Sequence, residues 1–361
     1  MKQEAKRTFV YILHSSETRD MPVAGKTRHY DEDWPLELLL LAARICMRNV
    51  SWKNSVLRWR IPRNCMMYCL DLKRELDSGR HRLAPFYTFW VTEPKRRKIQ
   101  ALLFRDRVVQ VAMLVNGLYE EITSDNIADN LACQTGKGTS KALERMKEFL
   151  QWHFSQHGLD GYVFAFDFHD FFGSLDHDAI KAWLRPRITR EAYRCEVFMT
   201  IDAYGEKGLG LGSPLSQLIA VSCVSEIDHM IKEKHGVACY LRYSDDGRVI
   251  IATKEKIKAI VDDMLPVMRK FGISFNPKSC IHPVRQGVYF LKWRFTLTDT
   301  GEVVMTKKKS KVRRFVRHMR KMKREGVSQE DLLTSFRSWE SHMRLGNSEA
   351  IINKVRKILN V

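Results

Sequence analysis

Tyr243-Ser244-Asp245-Asp246 sits between two apolar runs, Val237-Ala238-Cys239-Tyr240-Leu241 and Val249-Ile250-Ile251-Ala252. This is the pattern of a β-hairpin with carboxylates at its tip. Upstream, Tyr162-Val163-Phe164-Ala165-Phe166-Asp167-Phe168 offers a second strand that ends on an acid. Three carboxylates from two neighbouring strands would make a set of hard oxygen ligands suited to Mg²⁺. Two such ions about 3.5 to 4 Å apart activate a hydroxyl and stabilise the leaving oxygen of an in-line phosphoryl displacement. Taken alone, Asp245-Asp246 reads equally as a solvated turn, because Asp is common in hairpin loops.

Order along the chain separates the two readings. The Asp167 strand comes first, then a Gly-rich loop entering a helix (Gly208-Leu209-Gly210-Leu211-Gly212-Ser213-Pro214-Leu215-Ser216-Gln217), then the acidic hairpin. Composition fits a polyanionic partner. The 361 residues carry 61 Lys and Arg against 42 Asp and Glu, a net charge of +19, which favours nucleic acid. A chain of this length buries a large core and holds two or three structural units, and 44% hydrophobic with 29% charged residues excludes disorder across the whole chain. Between Glu302 and Glu325 there is no acid, while Lys307, Lys308, Lys309, Lys311, Arg313, Arg314, Arg317, Arg320, Lys321, Lys323 and Arg324 supply eleven cations. On a helix these surround most of the surface and track a phosphate backbone.

The eight cysteines lack paired metal-ligand spacing and read as reduced thiols; Cys65 and Cys69 have helical spacing but no second pair to complete a zinc site. No run approaches the roughly 18 apolar residues of a membrane span, and Met1-Lys2-Gln3-Glu4-Ala5-Lys6-Arg7 lacks a signal-peptide core, so the expected location is cytoplasmic with no membrane partner.

Pro35 opens a helix over Leu36-Glu37-Leu38-Leu39-Leu40-Leu41, and residues 64–78 read as a second. A hairpin with a cationic tip follows, Pro85 to Thr92 and Ile99 to Leu103 about Lys95-Arg96-Arg97-Lys98. Helices are expected from Phe104, after Thr139 or Ser140 as cap, over Asp176–Leu184 and Glu191–Tyr204, from Pro214 through Ile227, and over Lys254–Phe271. A second hairpin pairs Gly287–Phe295 with Val303–Met305 and leads into the basic helical C-terminus. Strands alternating with helices indicate an α/β or α+β core.

The motifs around Asp167, Gly212, Asp245 and Trp293, in this order across residues 85 to 345, resemble the reverse transcriptases. The resemblance implies an α+β right-hand polymerase with fingers, an antiparallel-sheet palm and a helical thumb. The implied division is 1–80 as an N-terminal helical extension, 81–160 fingers, 161–298 palm with a fingers insertion around 186–212, and 299–361 basic thumb. It implies that Asp167 and Asp245 ligate two Mg²⁺ ions, with Mn²⁺ as a substitute, that Asp246 completes the acidic cluster, and that the Phe168 carbonyl adds a ligand. Phe172 would lie under the incoming sugar and select dNTP over NTP; without the motif it reads as a core aromatic beside Phe171. Lys95 and Arg97 would grip the triphosphate, or else be solvated turn residues, and Lys278 would stand near the leaving pyrophosphate. Tyr243 would pack toward the primer end. Phe290-Leu291-Lys292-Trp293 is similar to a primer grip, with Trp293 either against the primer backbone or a buried anchor of the hairpin. Lys307, Arg313 and Arg314 would hold template and primer through phosphates, without sequence choice.

The loop departs from the commonest pattern of the family. Leu211 precedes Gly212, and Gln217 follows Ser216, which resembles the bacterial diversity-generating retroelement type, with error-prone copying implied; Gln217 also reads as a plain helix-face residue. The expected partners are an RNA template, a DNA or RNA primer, dNTPs, a small accessory protein and a dedicated structured RNA. No segment is long enough for a separate RNase H or endonuclease. The competing readings are a reverse transcriptase of an anti-phage defence system, a catalytically idle RNA-binding scaffold, against which the intact acids argue, and an RNA-dependent RNA polymerase, against which Phe172 argues.

Overall fold

Alternation along one strand organises the molecule, whose computed structural model describes residues 30–48, 64–92 and 96–359. In β3 (Tyr162–Asp167) successive side chains point to opposite faces. Phe164 and Phe166 enter one hydrophobic core, while Val163 and Ala165 meet the other. Strands β4 (Tyr240–Tyr243), β5 (Asp246–Ile251) and β6 (Cys280–Pro283) join it in a four-stranded antiparallel sheet of order β4-β5-β3-β6. The sheet thus lies between two cores.

The Phe164 side is helical. It collects α1 (Leu36–Arg48), α2 (Cys65–Asp77), α3 (Phe104–Met113), α4 (Tyr119–Thr123), α6 (Phe171–Ser174), α7 (His177–Leu184), α8 (Glu191–Asp202), α9 (Pro214–Cys223), α10 (Ser225–His229) and α11 (Lys254–Lys270). Trp34, Leu38 and Leu39 are buried in this same core, so α1 packs directly into the body of the molecule. The Val163 side holds α5 (Thr139–His157), a three-stranded sheet β7 (Val288–Phe290), β8 (Trp293–Leu297) and β9 (Val303–Thr306), and the C-terminal helices α12 (Lys309–Arg324), α13 (Gln329–Met343) and α14 (Glu349–Leu359). A separate hairpin, β1 (Tyr87–Val91) with β2 (Arg97–Ala101), docks where the Gln100 amide donates to the Leu211 carbonyl at 2.9 Å.

Most expected elements form, and the differences have local causes. Gly138, not Thr139 or Ser140, is the residue before α5; the Thr139 hydroxyl lies 3.3 Å from the Tyr243 hydroxyl instead. The helix from Pro214 stops at Cys223, because Val224 leaves helical geometry, and Ile227 belongs to α10. The cations do not surround α12. Val312, Phe315, Val316, Met319 and Met322 form an apolar stripe at helical spacing against the core, leaving Arg313, Arg314, Arg317, Arg320 and Arg324 exposed. The three-stranded sheet runs on to Thr306, so the helices within 299–361 begin at Lys309.

The β4–β5 turn rests on a buried ion pair. Tyr243 pairs with Asp246, which leaves Ser244 and Asp245 as a two-residue loop with Ser244 at φ 59°. Arg242 and Asp228 are both fully buried, and the Arg242 Nε donates to Asp228 Oδ1 at 2.8 Å. The Tyr240 hydroxyl donates to the same oxygen at 2.6 Å. Arg242 also donates to the Val221 carbonyl at 2.8 Å and to the Ser244 carbonyl at 2.9 Å. Asp228→Ala leaves a buried guanidinium unpaired, and we expect a loss of about 3 to 5 kcal/mol in urea unfolding; a loss under about 1 kcal/mol, that of an ordinary surface substitution, would overturn this role.

Candidate active site

Sheet register assembles the acids. Asp167 is paired across to Asp246, and the turn sets Asp245 beside them, with the Phe168 amide donating to the Asp245 carbonyl at 3.1 Å. Gly247 is required by the next pair. Phe166 lies opposite it, and a Cβ on Gly247 would come within 2.1 Å of the Phe166 ring. The Asp167 end of β3 is held from the other side by Asn276, whose side-chain amide donates to Asp167 Oδ2 at 3.0 Å and whose backbone amide donates to the Asp167 carbonyl at 2.7 Å. The Phe168 carbonyl takes no part in the Phe168–Phe275 bridge, which is made by its neighbours' groups.

The three acids are not equivalent. Burial, then the charge of Asp167 and a side-chain hydrogen bond with it, push the Asp245 carboxyl up to about 7. Asp246 is also raised by burial, but there Arg248 opposes the shift. Arg248 Nη1 donates to Asp246 Oδ1 at 2.5 Å, and the guanidinium is itself buried. Of the acidic cluster expected from Asp167, Asp245 and Asp246, Asp167 and Asp245 are thus neighbours and Asp246 is held by an arginine. Among the described residues no group of three His, Cys, Asp or Glu forms a ready metal cage.

The other expected residues separate into those near the acids and those elsewhere. Phe172 is half-buried, edge-on to Phe171 at 5.6 Å, and its carbonyl accepts from the Leu209 amide at 2.7 Å, which ties it to the Gly-rich loop. Gly212 has φ 126°, and a Cβ there would stand 3.1 Å from Ile99 and 3.2 Å from the Gln100 carbonyl, so β2 can approach only a glycine. Ser213 caps α9 by accepting from the Ser216 amide, and its hydroxyl donates to Gln110 Oε1 at 2.7 Å. Gln217 is half-buried beside Cys133, whose Sγ lies 3.9 Å from its Oε1. Arg97 is exposed at the start of β2; Lys95 lies outside the described residues. Lys278 is exposed in the Asn276 turn, its amide donating to Asn276 Oδ1 at 3.1 Å.

Tyr243 faces α5 and meets Thr139. Trp293 is 0% exposed, so no face of its ring is open to a primer, and the reading as a buried anchor holds. Lys307 lies over that ring, its Nζ 4.0 Å from the centroid, and burial followed by the charges of Lys292 and Lys311 lowers it to about 8. Arg313 and Arg314 are exposed on α12. Sequence reading missed Arg242, Asp228, Asn276 and Arg248. The signal available for Arg242 was a charge between Leu241 and Tyr243 in an otherwise apolar strand, and for Asn276 its place two residues before Lys278.

The family described as reverse transcriptase (RNA-dependent DNA polymerase) matches residues 94–291, more than half of the chain and the whole of the acidic site. The chain belongs to the reverse transcriptase family. Among solved structures, telomerase from Candida albicans, in complex with a TWJ fragment of telomeric RNA, aligns at TM-score 0.50 and 11% identity over 78% of this chain. Apo telomerase from Candida tropicalis aligns at TM-score 0.46 and 12% identity over 64% of this chain and 48% of that one. The Candida albicans likeness shows the fold alone, a right-hand polymerase, and this chain spans 56% of that telomerase chain. No curated protein matches the sequence.

The facing pair generates a direct test. In a carboxyl-carbon NMR titration without metal, Asp245 should take up its proton near pH 7, and Asp167→Asn should move that midpoint down by removing the neighbouring charge. Because burial is the larger cause of the shift, a midpoint that Asp167→Asn leaves unchanged is the result that would overturn the proximity of the two acids.

Proposed function

We propose that this protein is an RNA-directed DNA polymerase that extends a primer on an RNA template by two-metal nucleotidyl transfer. The observation that carries the reading is the pair of carboxylates, Asp167 and Asp245, brought together at the open end of the central sheet in a chain of this family. The donor set fits Mg²⁺. That ion is usually held by one or two carboxylates, with waters and substrate phosphates completing the shell, and two like charges side by side favour a cation between them. Asp167, Asp245 and the Phe168 carbonyl would hold two ions, with Mn²⁺ as a substitute. Bound there, they would supply activation of the primer 3′-hydroxyl and stabilisation of the leaving pyrophosphate oxygen.

The chain's own residues do the positioning. Asn276 and the β3–β5 register fix Asp167, while Arg242 fixes the turn that carries Asp245. Phe172, half-buried beside the Gly-rich loop, would contact the incoming sugar and exclude a 2′-hydroxyl. Arg97 and Lys278 would meet the triphosphate. The exposed cations of α12 would follow template and primer phosphates without base readout. In this reading residues 81–160 are fingers, 161–298 palm with the 186–212 insertion, and 299–361 thumb, with 1–80 a helical extension.

Leu211 and Gln217 support the finer assignment to a diversity-generating retroelement, with a structured template RNA and a small accessory protein as partners. The half-buried contact of Gln217 with Cys133 favours a part in shaping the loop.

Primer extension on an RNA template with Mg²⁺ tests the reading. DNA synthesis from dNTPs should fall by at least about a thousandfold in Asp245→Asn and in Asp167→Asn while both stay folded; synthesis retained in a folded variant would refute the assignment. In the same assay Phe172→Ala should raise rNTP incorporation relative to dNTP by about tenfold or more, on the scale of one lost steric contact. An unchanged ratio would remove Phe172 from the sugar site.

A further inference from the structure

Arg248 is a buried cation that the reaction outlined above does not use. It follows the acidic turn on β5 and shares a face of the strand with Asp246 two residues earlier. Its guanidinium does two things at once. Nη1 donates to Asp246 Oδ1 at 2.5 Å and to the Gly247 carbonyl at 2.6 Å. Nε and Nη2 donate to the carbonyl of Tyr289 at 2.9 and 2.7 Å. Tyr289 is the central residue of β7, in a different sheet, and the guanidinium carbon also stands 5.4 Å from the Phe290 ring.

The side chain therefore joins the acidic hairpin to the β7–β8 hairpin. That hairpin also buries Val288 and Phe290 in the core shared with Val163 and Ile250, and on its far side Trp293 is buried beneath Lys307 and against His342. Tyr289 itself is exposed, with Lys308 Nζ 4.5 Å from its ring, so the outer face of β7 offers an aromatic and cations to a polyanion while its backbone is tied to Arg248. A planar guanidinium bonds two acceptors through separate nitrogens in a fixed fork; a lysine ammonium cannot reproduce that geometry.

We infer that Arg248 is a positioning residue, which sets the distance between the acidic turn and the β7–β8 hairpin and so places a primer terminus over Asp167 and Asp245. The inference rests on the polymerase reading. It assigns Asp246 a structural task as the carboxylate that orients Arg248. Misplacement of reacting atoms by about 1 Å lowers a rate by about a hundredfold, without weakening the grip on a nucleotide bound elsewhere.

Arg248→Lys and Arg248→Gln test it in the full chain, with single-turnover addition of one dNTP to a primer annealed to RNA. In Arg248→Lys the charge beside Asp246 is kept and the fork to Tyr289 is lost. The maximal addition rate should fall about 10- to 100-fold while the dNTP concentration for half-maximal rate changes less than about threefold. Amide hydrogen exchange over Val288–Phe290 should quicken in both variants relative to the strands β3 and β5. Either variant matching wild type within about twofold in rate would overturn the proposal, as would a rate loss that only follows the folded fraction, or one appearing wholly as weaker dNTP binding. Should wild type itself add no nucleotide, the polymerase reading falls and the positioning role falls with it. A working wild type with an unaltered Arg248→Lys sinks the positioning role alone.

Discussion

The buried pair of Arg242 and Asp228 is the constraint on which the site depends. A guanidinium taken wholly out of water is tolerable only when its charge is met and its donors are occupied, and here one carboxylate and two backbone carbonyls do so. One of those carbonyls belongs to Ser244, the turn residue with positive φ. The conformation that a non-glycine residue adopts reluctantly is thus held by a bond from the protein interior. The Asp228 end of the pair sits on α10, so the acidic turn is tied to the helical core as well as to its sheet.

Around that turn, charge is distributed unevenly. The charge of Asp167 raises the cost of ionising Asp245, while Asp246 has Arg248. Two neighbouring carboxylates disfavour full ionisation of the pair, and the surrounding network of Arg242, Asn276 and Arg248 braces the turn and strand that carry them. The second feature is the position of the sheet between two cores. One of its faces is sealed by Phe164 and Phe166 among helices; the other turns toward the β7–β9 sheet and the basic helix α12. The acids lie at the strand ends between these bodies, and the arginines of α12 are exposed.

Much of this was legible in order and alternation. The acidic hairpin, the Asp167 strand, the helix opened by Pro214 and the basic helix could all be placed because turn chemistry and period-two or helical patterning are local properties. Trp293 shows where such reading stops. Its sequence neighbourhood is equally that of a nucleic-acid contact and of a hairpin anchor, and only the packing of Lys307, His342 and Gly346 about the ring decides for the anchor. Asp246 shows the same limit for charge. Alternation in Asp246-Gly247-Arg248 puts the arginine on the face of Asp246, but only the packing of β7 shows that the same guanidinium also takes the Tyr289 carbonyl.

The sequence by itself determined the family and the strands β3, β4 and β5 on and between which the acids lie, because those follow from residue types at short spacing along the chain, whereas the short edge strand β6 carries no such pattern. The tertiary structure decided which acids face each other, which one is neutralised, and how the site is braced. Those outcomes depend on partners far along the chain, Asp228 for Arg242, Asn276 for Asp167 and Tyr289 for Arg248, and burial in a low-dielectric interior is what gives each of these contacts its strength.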